Sequence, residues 1–150
     1  MEIIFKLFLA LLAGLIIGFV NRYQFHREST TPIRVFAMIC LGATLITITS
    51  AEFLKEFSSS LTGDPGRLSG QVVSALGFLG TGIIWMSEEE GKLKGVYVVA
   101  SLWVTAIIGM LIGVGLHSAT VLGILFIIII YRSYNLIDYK KKLNNNKAKE

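Results

Sequence analysis

One uncharged stretch decides the fold of this chain: VYVVASLWVTAIIGMLIGVGLHSATVLGILFIIIIY, from Val96 to Tyr131, has no charge apart from a possible one on His117. As a single α-helix it would be roughly 54 Å long, whereas the hydrocarbon core of a bilayer is about 30 Å thick. The stretch must therefore break, and the glycines in residues 113–118 favour a break there. We expect two membrane helices, at Val96–Val114 and at residues 119–134.

Three more apolar segments lie upstream, at residues 3–20, 35–51 and 72–86, and the last is expected to begin a turn earlier, at Leu68. Charged residues make up only 16% of the chain, whereas a soluble domain has about 25%. The pattern predicts an all-α membrane protein, a bundle of about five transmembrane helices. Residues 1–134 form this domain, and residues 135–150 are expected to be a basic, disordered cytoplasmic tail. The first segment lacks a basic start and a cleavage site, so it is interpreted as a retained helix.

The basic residues predict an orientation, because cytoplasmic loops carry an excess of lysine and arginine. With five spans, 11 of the 14 basic residues fall on the side that holds the first loop, the third loop and the C-terminal tail. They are Arg22, Arg27, Arg34, Lys92, Lys94, Arg132, Lys140, Lys141, Lys142, Lys147 and Lys149. We therefore expect the N-terminus outside and the C-terminus in the cytoplasm.

Small residues recur at helical spacing, and small residues allow membrane helices to approach closely. The predicted packing positions are Ala10, Gly14 and Gly18 in the first segment, Ser74, Gly77, Gly80, Thr81 and Gly82 in the third, and Ser101, Thr105, Gly109 and Gly113 in the fourth. We favour packing between the helices of one bundle. The alternative is that one such face, on the first helix, forms the seam of a homodimer.

Asp64-Pro65, before the third segment, is typical of a helix start, because an N-cap carboxylate accepts orphan amide hydrogens and proline lacks one. Arg67 and Gln71 follow on the way into the apolar helix. Arg67 is interpreted either as snorkelling to lipid headgroups or as pairing in an outward-facing polar cluster. The candidate partners in that cluster are Asp64, Glu52 and Glu56.

The loops hold most of the other charged groups. The first loop is interpreted as a topology-setting loop that binds anionic lipid, with a partner or ion site as the alternative; it contains Asn21, Arg22, His26, Arg27, Glu28 and Arg34. In the third loop, Glu88, Glu89 and Glu90 favour a solvated acidic turn. Magnesium is held by one or two carboxylates and water, so these glutamates permit a cation site without indicating one, and no metal site is assigned.

Several classes of function find no support. Residues 77–82 are rich in glycine but lack the lysine of a phosphate-binding loop, and His26 and His117 lie in different loops with no nucleophile beside them. Basic residues are not interleaved with aromatic ones, as nucleic-acid binding requires. We expect no enzymatic activity, no cofactor and no nucleic-acid partner. Spans nearly free of ionisable residues also argue against an ion-coupled carrier.

Three runs in the third segment carry a resemblance to a known family: Asp64-Pro65-Gly66-Arg67, Gln71-Val72-Val73-Ser74 and Gly77-Phe78-Leu79-Gly80-Thr81-Gly82-Ile83-Ile84. The match continues downstream at Lys94-Gly95, residues 100–106 and Ile108-Gly109. Upstream, it includes Gly14, Gly18, Arg22, Arg34, Leu41, Gly42 and Ala43. Together these residues resemble the signature of the MgtC/SapB family of bacterial inner-membrane proteins.

This chain departs from the family pattern at three polar positions. Asn21-Arg22 stands where the family has Glu-Arg, Pro32-Ile33-Arg34-Val35 replaces Gly-Leu-Arg-Thr, and Lys94-Gly95-Val96-Tyr97-Val98 replaces Arg-Gly-Leu-Thr-Thr. Many members also carry a soluble C-terminal domain, for which we expect no room here. A site built on these positions is therefore expected to be altered.

The resemblance implies a non-enzymatic, multi-pass protein of the bacterial inner membrane, linked to growth in low magnesium and associated with virulence in pathogens. Members regulate other membrane proteins, so the expected partners are the lipid bilayer and ATP synthase or a transporter, with a homodimer as a further candidate. The matching polar positions are the candidate functional residues: Asp64, Arg67, Gln71, Arg22, Arg34 and Lys94. The alternative function is a magnesium channel or transporter, with a pore lined by Thr44, Thr47, Thr105 and Gln71.

Overall fold

The computed structural model describes residues 2–24, 31–57, 64, 66–87 and 92–147. This part of the chain forms five helices and one hairpin: α1 (Glu2–Gln24), α2 (Ile33–Phe57), α3 (Arg67–Ile83), β1 (Trp85–Ser87), β2 (Lys92–Lys94), α4 (Val96–Val114) and α5 (His117–Lys147). The predicted all-α helical bundle is confirmed. Several residues considered from the sequence lie outside the described residues: Pro65, His26, Arg27, Glu28, Glu88, Glu89 and Glu90.

Three helices among the described residues are long and apolar enough to cross a membrane, at Glu2–Tyr23, Ile33–Phe53 and Val96–Val114. The apolar part of α5, His117–Ser133, is shorter. The break between α4 and α5 falls where the glycines predicted it. Gly115 adopts the left-handed conformation at φ 91°, and the amides of Gly115 and Leu116 donate to the carbonyl of Leu111 at 3.1 and 2.9 Å. This is a helix C-terminal motif that favours glycine.

The third helix ends earlier than the apolar pattern suggested. It stops at Ile83, and Trp85 and Met86, which were expected to belong to it, lie in strand β1. Trp85 pairs with Lys94 and Met86 with Leu93 in an antiparallel ladder. Over so short an apolar run, periodicity does not distinguish a strand from a helix. The backbone N–H and C=O groups of residues 85–87 no longer have partners within the helix, and the strand pairing supplies their hydrogen bonds.

The C-terminal segment also differs from expectation. Residues 135–147, expected to be disordered, continue α5 as helix to Lys147. A polar, basic composition predicts solvation, but extending an existing helix costs far less than nucleating a new one. The helix can therefore run on past its apolar part.

The core lies where α1, α2 and α4 meet. α2 packs along both α1 and α4, while α3 packs on α4 and α2, and α5 on α1 and α4. The fully buried side chains at this junction are Ala10, Ile17, Phe36, Cys40, Ile108 and Ile112. The helices share two ends. We call the end with the last residues of α1 and the β-hairpin the hairpin end, and the opposite one, where α1 begins, the Lys6 end.

The two ends correspond to the two sides assigned from the basic residues. Arg22, Arg34, Lys94 and Arg132 all lie at the hairpin end, which was predicted to be cytoplasmic. That orientation stays a prediction.

Candidate functional site

A buried polar cluster joins three helices at the hairpin end. The side-chain amide of Asn21 on α1 donates to Ser101 Oγ on α4 at 2.7 Å and to Tyr131 Oη on α5 at 3.2 Å. Ser101 Oγ donates to the carbonyl of Tyr97 at 2.6 Å. This bond uses the only hydrogen of the Ser101 hydroxyl. In the 2.6 Å contact between Ser101 Oγ and Tyr131 Oη, the tyrosine hydroxyl is therefore the donor. Asn21 is wholly buried, and Ser101 and Tyr131 nearly so.

From the sequence, Asn21 is only a loop residue and a departure from the family pattern, and Tyr131 is not among the predicted site residues. The structure instead makes Asn21 the donor that links α4 and α5 to α1. A buried amide without partners would be costly, so its neighbours had to be polar. The signal in the sequence was an asparagine one helical turn beyond Ile17, whose side chain is also buried. Its partners lie far along the chain and could not be identified from spacing.

Replacing Asn21 by leucine should lower the free energy of unfolding by about 1 kcal/mol, the usual scale for hydrogen bonds between membrane helices. Leucine fills similar space but donates nothing, so Ser101 Oγ and Tyr131 Oη lose the hydrogen bonds from the Asn21 amide. The measurement is denaturant-induced unfolding in mixed micelles, followed by circular dichroism. Tyr131→Phe is the comparison and should cost less than Asn21→Leu. An Asn21→Leu protein as stable as the wild type would contradict a stabilising role for the cluster.

The predicted basic residues of this end do not gather around a carboxylate. Arg22 and Arg34 are exposed, and among the described side chains neither makes an ion pair. Gly18 packs on Ile33, so the ends of α1 and α2 that carry the two arginines are neighbours. Lys94 lies in β2 opposite Trp85 and is half-buried.

At the Lys6 end, α1 closes the C-terminus of α4. Lys6 Nζ donates to the carbonyl oxygen of Gly113 at 3.2 Å and lies 3.3 Å from Glu2 Oε1, with only 14% of the lysine side chain exposed. A cation there meets the negative end of the helix dipole. Lys6 is one of the three basic residues that do not lie on the predicted cytoplasmic side.

A cavity of about 700 Å³ opens beside Lys6, between the ends of α1, α2, α3 and α4. Its wall includes Thr47 and Ser69, whose hydroxyl oxygens are 3.3 Å apart. Its rim includes Glu52 and Lys55, which form an ion pair at 2.7 Å. The hydrogen bond to Glu52 raises the pKa of Lys55 above its ordinary value. The lysine therefore keeps its positive charge at neutral pH.

The polar cluster predicted around Arg67 does not form among the described residues. Glu52 pairs with Lys55, and Asp64 Oδ1 accepts a hydrogen bond from the amide of Gly66 at 2.8 Å. The predicted N-cap role of Asp64 is wrong, because α3 begins at Arg67, its N-cap is Gly66, and no side chain caps it. The Asp64 carboxylate instead closes a local turn just before the helix. Arg67 and Gln71 are both exposed.

Most of the small residues predicted as packing positions do lie at helix contacts. A Cβ at Gly14 would come within 2.6 Å of Ala37 Cα, and one at Gly18 within 2.9 Å of the Ile33 carbonyl oxygen. Gly80 faces Val99, and Gly109 and Gly113 face α2. Ser101 and Thr105 are buried on the same side of α4. Within this chain, the small face of α1 is filled by α2, and the homodimer stays a prediction.

The exceptions are four exposed residues of α3: Ser74, Gly77, Thr81 and Gly82. Within the described part of the chain, no atom lies within 4 Å of where a Cβ of Gly77 or Gly82 would be. The packing prediction is therefore wrong for these four residues inside this bundle. With Gly70, Ser74 and Thr81, Gly77 forms an exposed stripe of small residues, which we call the α3 face. A groove of about 550 Å³ between α2 and α3 runs beside it and is lined in part by Gln71.

These contacts define a class of protein: an all-helical membrane protein whose helices are held together by glycine contacts and buried hydroxyl groups. In the described ranges, no three His, Cys, Asp or Glu side chains come close enough to hold a metal ion. The chain belongs to the MgtC family, whose family model matches residues 7–139.

Individual relatives agree with the family match. The chain is 36% identical over 121 residues to "Protein MgtC" of Brucella abortus (strain 2308), which covers 79% of this chain and 45% of the relative. It is 30% identical over 141 residues to "Putative magnesium transporter YhiD" of Escherichia coli (strain K12), which covers 93% of this chain and 63% of the relative. The chain therefore spans about half the length of the curated relatives it matches. No solved structure matches it.

Proposed function

We propose that this chain is a non-enzymatic, multi-pass protein of the bacterial inner membrane that modulates partner membrane proteins and supports adaptation to low magnesium. The observation that carries this proposal is the closed interior of the bundle. Thr44 and Thr105 are fully buried, and Thr105 donates to the carbonyl of Ser101 on its own helix. The single hydroxyl hydrogen of Thr44 is shared between the carbonyl oxygens of Cys40 on α2, at 2.9 Å, and of Gly109 on α4, at 2.8 Å. Magnesium sheds its water reluctantly, and these contacts leave little space for a hydrated ion.

The α3 face supports partner binding. Glycine and hydroxyl side chains at helical spacing let a neighbouring helix come close in a membrane, and on α3 this surface is left exposed by the chain's own helices. A helix of another membrane protein would find room there. The family resemblance suggests ATP synthase or a transporter as that partner.

A second candidate function, a magnesium channel or transporter, is favoured by the name of the Escherichia coli relative. The residues considered as pore lining do not share one pathway, however. Gln71 lines the groove between α2 and α3, whereas Thr47 lines the cavity at the Lys6 end. We therefore place modulation first.

A double variant with a matched control tests the modulator function, and a flux measurement tests the transporter function. Ser74→Leu with Gly77→Leu fills the α3 face without reaching the core, so the protein should fold normally while growth in low magnesium is reduced in cells that depend on it. Ser118→Leu, an equally exposed substitution at the start of α5, is the matched control and should support growth. In parallel, the wild-type protein in sealed liposomes should give no magnesium flux above empty liposomes, measured with an internal indicator.

Two results would overturn the proposal. Magnesium flux that depends on the wild-type protein and falls in the Arg67→Ala variant would make the chain a transporter. Unimpaired growth of the double variant, at normal protein levels, would show that the α3 face binds no partner that matters for this function.

A further inference from the structure

A second surface, separate from the α3 face, fits a lipid. A cavity of about 290 Å³ lies at the hairpin end between α1, α4 and α5, and its lining includes Ile17, Tyr97, Ala100, Val104 and Ile127. Ala100 and Val104 are exposed, so the cavity opens sideways, away from the helix core. From Tyr97 to Val104 it follows α4 for about 10 Å, which is most of the roughly 15 Å that one leaflet contributes to the hydrocarbon core.

The residues that line this cavity favour an apolar ligand over a polar one. Its walls are almost entirely apolar, and a buried water needs two to four polar partners. The hydroxyls of Ser101 and Tyr131 lie on the lining, but they already bond each other and Asn21. A soluble polar ligand would gain little from such a cavity, whereas an acyl chain from the adjoining leaflet would fill it.

Aromatic side chains place the mouth of the cavity at the membrane surface. Tyr97, which lines the cavity, is 51% exposed, and Tyr23 and Trp85 at the same end are also exposed. Tyrosine and tryptophan concentrate at the level of the lipid headgroups. An acyl chain in the cavity would therefore carry its headgroup beside the hairpin end.

The charge of this end favours an anionic headgroup. Arg22, Arg34, Lys94 and Arg132 lie there, and all the carboxylates among the described side chains lie towards the Lys6 end. Arg22 and Arg132 directly follow Asn21 and Tyr131, the hydrogen-bonded pair beside the cavity. Basic positions between membrane helices on the cytoplasmic side recognise anionic lipid headgroups.

We propose that the cavity between α1, α4 and α5 binds one anionic phospholipid, with an acyl chain in the cavity and its phosphate near Arg22 and Arg132. This inference is independent of the proposed modulator function, because it concerns a different face of the bundle.

Native mass spectrometry of the full-length protein in detergent tests this proposal, with phosphatidylglycerol and phosphatidylcholine of identical acyl chains as probes. One phosphatidylglycerol should be retained, with an affinity about thirtyfold higher than that of phosphatidylcholine if two cations contact the phosphate. Ala100→Phe, which fills the cavity from its open side, should abolish retention of both lipids. Arg22→Gln with Arg132→Gln should keep phosphatidylcholine binding and remove the preference for phosphatidylglycerol.

The matched control is Ala75→Phe, which makes the same change in the groove between α2 and α3 and should leave lipid retention unchanged. Circular dichroism checks that each variant is helical. Equal affinity for the two lipids, or phosphatidylglycerol retained by Ala100→Phe, would overturn the proposal. A wild-type dimer that Ala100→Phe converts to a monomer without changing lipid retention would assign the cavity to a second copy of the chain.

Discussion

Replacing Gly109 by valine should lower the free energy of unfolding by about 3 kcal/mol or more, the upper range for overpacking a membrane or protein core. The Cβ of any larger residue would overlap the carbonyl oxygen of Cys40 and come within 3.0 Å of Ala43 Cβ. The obstacle is helix backbone, which cannot rotate away as a side chain can. α2 and α4 would have to separate, and the bond from Thr44 Oγ1 to the Gly109 carbonyl would be lost with the contact.

Gly42→Val is the matched control for this prediction. Gly42 lies two residues beyond Cys40 on the same helix, but no described atom is within 4 Å of where its Cβ would be. This variant should unfold like the wild type, or at slightly higher denaturant, because glycine is about 1 kcal/mol worse than alanine inside a helix. Denaturation in mixed micelles compares the three proteins. Equal stability of the Gly109 and Gly42 variants would show that the α2–α4 contact does not limit stability.

A charge reversal at Lys6 should have the next largest effect, a loss of about 3 kcal/mol on the scale for leaving a buried charge uncompensated. Glutamate at this position would place a carboxylate beside the carbonyl oxygen of Gly113, which is the negative end of α4. It would also lie next to Glu2, now a like charge. With little of this side chain exposed, water offers only weak screening.

Lys6→Met separates the loss of the cation from the repulsion. Methionine keeps much of the apolar stem and removes the charge, so this variant should lose only about 1 kcal/mol, the usual worth of a cation at a helix C-terminus. The same unfolding measurement ranks the proteins as wild type, Lys6→Met and Lys6→Glu. If the glutamate variant proved as stable as the methionine variant, the charge at the end of α4 would be of no consequence.

The sequence was sufficient to predict the helices of the bundle and the break between α4 and α5. Both follow from local rules, because the length of an uncharged run is bounded by the membrane and Gly115 supplies the left-handed residue that ends α4. The hairpin between α3 and α4 was not predicted. Its apolar residues, Trp85 and Met86, read equally well as the end of a helix.

The candidate site was less accessible to prediction, because its contacts join residues far apart in the chain. Asn21 meets Tyr131, and Lys6 meets Gly113, and no spacing rule pairs them. Glycine spacing was informative only in part. It indicates that another helix can approach closely, but Gly14 and Gly109 meet helices of this chain whereas Gly77 faces outward.

Cys40, the single cysteine, lies with no exposed surface where α1, α2 and α4 meet. Oxidation of a thiol requires that an oxidant reach its sulfur, and a lone surface cysteine invites cross-linking between chains. The folded protein presents no such thiol, so we expect its cysteine not to be oxidised. Disulfide-linked dimers in an oxidised preparation would report chains whose central helices have come apart, and would say nothing about association of the native protein.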